Sequence, residues 1–512
     1  MCKNVEAKLR IYFMSDIHGY LFPIDYATNR FAKSGLFSCS KQFEVDDNTL
    51  VIDGGDTLQG SPFAAYVHNL YRKAPNNHIC LSLSHAMNKC GFNYVTLGNH
   101  DFNYGTTYLR DYLNALKATC LCANVHGDLL VRPYDIKVLG NGLRVGITGV
   151  VTSHVNVWEL PENLDGVTVS DPFEAAKTAL AELKDKVDIT ICIYHGGFER
   201  DFETDEILSI SGEHIASRIC KELDFDLLLT GHQHMAVEGQ KLHNTYVVQP
   251  RANAVHALCI DAELSSAGIS FESKFIYPDG NYDNNDLEEL LEIEGKIETW
   301  LDKPVGTLSH QLKPEDKVTM ALNGSEIADF FNMVQLDATN AQISCTSLTN
   351  EIKGFPQDVS LRNILSNYPY ADSLKVLEVS GEQLKIALER TASYLEISES
   401  GEIVVSSRFL VPKIEHYNYD YFAGITYIAD LRRPVGDRIV EIRHKDAIVT
   451  PSDKFSICMT HYRATGTGGY EVYRSCPILH EGHTGMSTLI QEYLQKHEIT
   501  EITNYARPTY IF

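Results

Sequence analysis

Residues 9 to about 280 predict an α/β layered domain, and residues 304 to 512 predict a second domain of the α+β class. Two observations carry this expectation. In the first half, apolar runs suited to buried strands alternate with amphipathic, helix-like stretches, the pattern of a sheet covered by helices. That alternation stops at Tyr277-Pro278-Asp279-Gly280-Asn281-Tyr282-Asp283-Asn284-Asn285, a stretch dense in turn formers. Beyond it tyrosines multiply, and helix and strand signals mix.

Taken in order, residues 9–14, 50–52, 94–97, 187–194 and 226–230 read as strands buried on one or both faces. A helix is expected over 172–185, with Asp171 as its cap and Pro172 in its first turn. Residues 286–302 have leucine and isoleucine at helical spacing among many charges and read as a connecting helix, which Pro304 ends. In the second half, 374–379 reads as a strand leading into an amphipathic helix over 381–394. The expected domains are therefore 1–283, a linker helix 284–303, and 304–512.

A chain of 512 residues exceeds one ordinary core. A composition of 44% hydrophobic and 22% charged residues is that of a soluble globular protein. The net charge of −24 argues against a nucleic-acid polymer or an anionic membrane as main partner, since both select basic surfaces. A phosphorylated small molecule would meet the same repulsion, so cations inside a cleft must reverse the local potential. The first eight residues are polar and lack the apolar core of a secretory signal. No apolar run approaches the ~20 residues that span a bilayer. The twelve cysteines are scattered without a CxxC pair. These features predict a cytoplasmic protein, and nothing in the sequence demands a partner chain, so a monomer is expected.

Five short segments carry the chemistry: Asp16-Ile17-His18, Gly55-Asp56, Gly98-Asn99-His100-Asp101, His195-Gly196-Gly197 and Gly231-His232-Gln233-His234. Each follows a strand signal, and ligands placed just beyond strand ends converge on one edge of a sheet. Any one of these motifs is weak, but five in this order are hard to obtain by chance. Residues two apart on a strand share a face, so Asp16 and His18 suit one ion. Asp56 can bridge two ions, Asn99 offers an amide oxygen, His195 and His232 complete the second site, and His234 returns to the first. Two ions about 3.5–4 Å apart would hold a bridging hydroxide and clamp the phosphoryl oxygens. Nitrogen and oxygen donors without thiolates suit Mn²⁺, Zn²⁺, Fe²⁺ or Co²⁺.

His100 adjoins Asn99, so its ring is expected at the rim of the ion pair, stabilising the transition state or protonating a leaving oxygen. Asp101 and Asp53 are the carboxylates expected to orient histidines, which gives Asp101 a place beside His100 in catalysis. His256 precedes a strand-like run and is placed to approach the site.

These five segments, with Asp53-Gly54-Gly55-Asp56-Thr57-Leu58-Gln59-Gly60-Ser61-Pro62 around the second of them, resemble the calcineurin-like metallophosphoesterases. More narrowly, the chain resembles the 5′-nucleotidase / 2′,3′-cyclic-nucleotide phosphodiesterase family over nearly its whole length. The resemblance implies a four-layer N-terminal sandwich holding two divalent ions, joined by a helix to a C-terminal α+β nucleotide-binding domain. It implies hydrolysis of a nucleotide phosphoester, with Asn99 touching substrate as well as metal. In the C-terminal half, the stretches 417–427 and 461–466 look like the family's nucleoside-binding segments, in which two rings sandwich the base. Tyr462 matches one ring and Tyr419 or Phe422 the other, while Arg463, and less directly Arg408, match phosphate or ribose contacts.

Two departures bear on the substrate. The region matching the 5′-nucleotidase branch's Gly-Gly-x-Arg segment reads Ile343-Ser344-Cys345-Thr346-Ser347-Leu348-Thr349-Asn350, without arginine. Asn103 stands where the family pattern has the acidic partner of the catalytic histidine. Both tilt the expectation towards cyclic phosphates, which carry less charge to neutralise. Hydrolysis of nucleotide sugars or other anhydrides stays open, as does nucleotide binding without turnover.

Overall fold

The computed structural model describes residues 7–75, 78–370, 372–411 and 413–512. They form two compact units, 1–297 and 298–512, and the helix Glu288–Leu301 runs through the point of division.

The first unit contains two six-stranded sheets. In one, Ala7–Met14 lies between Ala257–Ser265, antiparallel to it, and Thr49–Asp53, parallel to it; Tyr94–Val95 and Thr119–Cys120 continue the parallel run. In the other, Arg144–Val151, Ile189–His195, Leu227–Thr230 and Thr245–Gln249 are parallel neighbours, with an antiparallel strand at each edge. Strand alternation sends Ile11, Phe13, Leu50 and Ile52 from the first sheet against Ile147, Ile191, Ile193 and Leu229 from the second, in one buried cluster. The second sheet's outer face, through Val150, Cys192, Tyr194 and Leu228, packs on the helices Pro172–Leu183 and Ala216–Glu222. The chain linking the first sheet's strands forms the helices Pro62–Lys73, Ser82–Lys89 and Thr106–Ala115, each with one buried face.

Local signals account for these bounds. Asp171 caps its helix by accepting from the amides of Phe173 and Glu174, and Ser61 does the same from Ala64. The strand expected over 94–97 stops at Val95, and the Thr96 hydroxyl beyond it donates to the Leu121 carbonyl at 2.7 Å. Pro304 ends the connecting helix and opens the strand Pro304–Thr307.

The second unit has a five-stranded sheet ordered Asp420–Ala423, Ile343–Ser347, Lys454–Thr460, Leu374–Ser380 and Ile478–Glu481, mixing parallel and antiparallel pairs, and a separate four-stranded sheet. The strand Leu374–Ser380 leads into the helix Gly381–Ala392, with a capping box between Ser380 and Gln383. Leu384 and Leu388 of that helix pack with Leu377, Ile439 and Ile457. Among the described residues no helix is long and apolar enough to cross a membrane.

Candidate metal centre

The five segments meet at the ends of parallel strands from both sheets of the first unit. Asp16 and His18 follow Ala7–Met14, Asp56 follows Thr49–Asp53, and Asn99 opens the turn Asn99–Asp101 beyond Tyr94–Val95. His195 is the last residue of Ile189–His195, and His232 and His234 follow Leu227–Thr230. Five of the seven expected ligands adopt left-handed backbone: Asp16, His18, Asp56, His232 and His234 have φ of 55°, 52°, 59°, 70° and 57°. Each such residue costs roughly 1–2 kcal/mol, so the loops are held against their preference. The Asp16 amide donates to the Gly55 carbonyl and the His18 amide to the Asp56 carbonyl, both at 2.8 Å, which latches two of the loops together. Gly98 allows their closest approach, since a Cβ there would strike Asp56 and His195.

Two clusters of donor atoms result, Asp16 with His18 and His234, and Asp56 with His195 and His232. His234 Nε2 lies 3.2 Å from Asp16 Oδ1 and 3.5 Å from His18 Nε2. His195 Nε2 lies 3.2 Å from Asp56 Oδ2 and 3.9 Å from Asp16 Oδ1, so the clusters adjoin. Carbonyl oxygens fix two of the rings: His18 Nδ1 donates to Gln59 O at 2.6 Å and His195 Nδ1 to Gly54 O at 2.7 Å. A carbonyl only accepts, so both rings keep a proton on Nδ1, and Nε2 is the nitrogen that meets the clusters, 3.5 Å from His234 Nε2 in His18 and 3.2 Å from Asp56 Oδ2 in His195. His232 Nε2 meets Glu213 Oε1 at 2.7 Å, and Trp158 stacks on its ring. Asp56 Oδ1 accepts the His100 amide at 2.7 Å, whereas Oδ2 has no hydrogen-bond partner.

Whether these residues fit a cation is answered by the unsatisfied atoms. Asp56 Oδ2, Asn99 Oδ1 and His195 Nε2 are all buried without a hydrogen bond. Leaving a buried polar group unmet costs about 1–3 kcal/mol; here Asn99 Oδ1 has no hydrogen bond, and Asp56 Oδ2 and His195 Nε2 face each other at 3.2 Å without hydrogen-bond geometry, all within one expected ligand set. The donor set fits divalent ions. Electrostatics agree. Burial alone would raise Asp56, but His195 and His100 beside it hold its carboxyl well below the usual range. Asp16 is likewise lowered, by His195 and His234 against its burial. Burial would lower His195, but Asp56 and Asp16 outweigh it and lift the imidazole to about 10. Burial depresses His18 to about 4, which keeps it a neutral donor. The two carboxylates thus stay ionised and draw positive charge, whether a proton on His195 or a metal ion.

Other expected residues sit differently. Asp101 orients no histidine; its carboxylate accepts the amides of Asp56, Thr57, Leu58 and Gly98 at 2.8–3.0 Å, and so shapes the loop that carries Asp56. Asp53 binds the Thr57 hydroxyl at 3.2 Å, and burial next to Asp101 pushes its carboxyl well up. His256 accepts the Arg251 amide at 2.8 Å and stacks on Phe275, so it serves its own loop. His100 keeps the rim position, with Nδ1 against Gln59 Oε1 at 2.8 Å and Asn103 Oδ1 at 2.7 Å. In the second unit Tyr419 and Phe422 are buried in apolar clusters, the Tyr419 hydroxyl donating to the Ala321 carbonyl. Arg463 is also buried, paired with Asp420 at 3.0 Å and donating to the carbonyls of Thr467 and Tyr417. Its guanidinium is therefore a structural tie. Tyr462 is half-buried and Arg408 exposed.

Sequence reasoning missed Gln59, Glu213 and Trp158. Gln59 lies inside the Asp56 loop and its neighbourhood was a usable signal. Glu213 comes from a loop and Trp158 from the end of the short helix Val155–Trp158, neither with a motif, and only the fold brings them to His232.

Comparison with known proteins agrees with this geometry. Residues 9–236 match the family described as calcineurin-like phosphoesterase, and residues 304–475 match the 5′-nucleotidase C-terminal domain. The crystal structure of a candidate 5′-nucleotidase from Staphylococcus aureus superposes with a TM-score of 0.90 at 30% identity, covering 99% of this chain and 100% of that one. A 2′,3′-cyclic-nucleotide 2′-phosphodiesterase/3′-nucleotidase of Haemophilus influenzae is 24% identical over 90% of this chain and 80% of its own length. A trifunctional nucleotide phosphoesterase of Bacillus subtilis is 24% identical over 96% of this chain, which spans 38% of that protein. The chain belongs to the 5′-nucleotidase family, with a calcineurin-like metallophosphoesterase domain followed by a 5′-nucleotidase C-terminal domain.

Proposed function

We propose that this chain hydrolyses nucleotide phosphoesters, 2′,3′-cyclic monophosphates ahead of 5′-monophosphates, with divalent ions held by Asp16, His18, Asp56, Asn99, His195, His232 and His234. The observation that carries it is the pair of adjoining donor clusters, Asp16 with His18 and His234 and Asp56 with His195 and His232, together with the buried Asn99 Oδ1 that has no hydrogen bond. A pair of bound ions supplies a nucleophile from water at neutral pH and neutralises phosphoryl charge. The protein's own groups do the rest. Gln59 and Gly54 carbonyls aim the imidazoles of His18 and His195 inward. The His100 amide pins one oxygen of Asp56 and leaves the other for the centre. His100 is anchored through Nδ1, and its Nε2 is the atom that, with the ring doubly protonated, gives a proton to the departing oxygen.

The preference for cyclic substrates rests on charge. Ile343–Ser347 is a strand without arginine, and Arg463 is engaged by Asp420. A cyclic phosphodiester brings one negative charge where a 5′-monophosphate brings nearly two, so it needs fewer cations. Names borne by relatives, cyclic phosphodiesterase/3′-nucleotidase among them, support the nucleotide class. For the base, Tyr417 replaces Tyr419 in our reading. Tyr417 and Tyr462 are half-buried, and Arg463 ties the stretches that carry them. We further place the protein in a reducing compartment, supported by ten free cysteines among the described residues.

The deciding experiment strips the protein with chelator, reloads it with Mn²⁺, Zn²⁺ or Co²⁺, and assays 2′,3′-cyclic monophosphates, 5′-monophosphates and nucleotide sugars. Cyclic monophosphates should turn over fastest. Turnover confined to nucleotide sugars, or metal-independent turnover, would overturn the proposal.

A further inference from the structure

Asn103 stands against His100 where the family pattern has an acid, yet a carboxylate is present one residue further out. Asn103 Nδ2 donates to Glu159 Oε1, while Asn103 Oδ1 faces His100 Nδ1 at 2.7 Å. The other carboxylate oxygen, Glu159 Oε2, accepts Asn163 Nδ2 at 2.9 Å, and Asn163 Nδ2 also lies 3.1 Å from the Asn103 carbonyl. Glu159 is buried, and it stands between the short helices Val155–Trp158 and Pro161–Leu164, far from His100 in sequence.

Donor and acceptor chemistry orders this chain of contacts. A carboxylate can only accept, so the Asn103 amide must turn its NH₂ towards Glu159 and its oxygen towards His100. That oxygen, with Gln59 Oε1 at 2.8 Å, surrounds His100 Nδ1 with acceptors. The proton of the neutral ring is then fixed on Nδ1, and Nε2 carries the lone pair. An amide alone could not do this, because it presents oxygen or NH₂ equally well once turned over. We propose that Glu159 is a positioning residue that sets the tautomer of His100 through the Asn103 amide, so that Nε2 is the ring atom that exchanges a proton in the reaction.

The inference rests on the phosphoesterase reading for its kinetic test but has a second readout that does not. Glu159→Gln leaves one acceptor oxygen for two amide donors, Asn103 and Asn163, so one donor must face another. Asn103→Asp sets two carboxylates against each other, whereas the double substitution restores a donor against an acceptor at every contact. With the metal-loaded enzyme and the best nucleotide substrate, Glu159→Gln should lower kcat by about 10–100-fold, the usual range for a supporting partner, with KM and bound metal unchanged. In the Asn103→Asp background the same substitution should cost nothing further or raise kcat. An equal fold-loss in both backgrounds, as from simple misfolding, would overturn the inference, as would an unchanged kcat for the single variant. Separately, ¹⁵N NMR of histidine-labelled protein, with His100 identified by its loss in His100→Gln, should show the Nδ1–H tautomer in the native protein and a shift towards Nε2–H in Glu159→Gln. An Nε2–H tautomer in the native protein would overturn the inference whatever the activity. The expected spectra from a protein that hydrolyses no nucleotide would overturn the functional reading and leave this one standing.

Discussion

The Asp101 carboxylate accepts the backbone amide of Asp56 at 2.9 Å, while Asp56 itself sits in left-handed backbone. Three further amides converge on the same carboxylate. Hydrogen bonds to a charged acceptor contribute about 1.5–3 kcal/mol each, enough to hold one strained ligand loop. Asp101→Asn replaces one acceptor oxygen by a donor facing those amides. It should lower the denaturation midpoint and release metal from the protein, both measurable by urea titration and by metal analysis after dialysis. A variant with native stability and full metal content would show that Asp56 needs no such support.

Glu213 should matter through His232. Its carboxylate holds Nε2 at 2.7 Å and so orients the ring. Partners of this kind are typically worth 10–100-fold in metal affinity. Glu213→Gln should weaken metal retention by about that factor while the fold survives. Competition with a chromogenic chelator reads the affinity directly, and an unchanged value would assign Glu213 elsewhere, for instance to His214, 3.4 Å away.

Asn99 and His100 are adjacent but should separate in experiment. Asn99 Oδ1 is buried and unsatisfied, as a ligand atom would be, whereas His100 is anchored at the rim by Gln59 and Asn103. Asn99→Ala and His100→Ala should both lose activity, the latter by ~10²–10⁴-fold in kcat. Only Asn99→Ala should also lose metal. Equal metal loss in the two would put His100 among the ligands.

How far the sequence foretold this architecture can be judged residue by residue. The strand ends carrying Asp16, Asp56 and His195 were legible because buried parallel strands are near-continuous apolar runs, and ligands beyond their ends interrupt those runs. The role of Asp101 was not legible, since its partners are backbone amides, which leave no trace in side-chain pattern. Glu159 and Glu213 were invisible for a different reason. Their effect depends on loops brought to His100 and His232 by the packing of whole elements. In the second unit, aromatic content was a poor guide: Tyr419 and Tyr417 are two residues apart, yet one is buried and the other half-exposed. Strand and turn geometry, rather than residue type, decides how far each ring is buried.

That distinction can be tested with substrates. Aromatic stacking is worth ~1–3 kcal/mol per base, so Tyr417→Ala and Tyr462→Ala should each raise KM for nucleotides by about tenfold or more. Hydrolysis of bis(p-nitrophenyl) phosphate, which has no base, should serve as the control and stay near its native rate. Tyr419→Ala should instead lower stability, because that ring fills a core with Tyr394 and Phe409. A KM effect from Tyr419 without loss of stability would reverse the assignment.

His256 gives the first unit a pH-dependent stability distinct from metal binding. Its Nε2 accepts the Arg251 amide, which only a neutral ring can do, and burial with Arg251 nearby lowers its pKa from 6.5 to about 4. Between those values the unfolded chain binds a proton that the folded one refuses, so stability rises with pH across the window. The contribution is fully present above pH 6.5 and is lost as pH falls towards 4. At pH 5 the loss attributable to this residue is about 2 kcal/mol. His256→Gln keeps an acceptor for the Arg251 amide but cannot titrate, so its stability should fall less than the native protein's between pH 7 and 5, by about that amount. Urea unfolding of metal-free protein at the two pH values, followed through the first unit's transition, measures the difference; parallel losses in both proteins would mean that His256 already titrates in the fold as it does in the open chain.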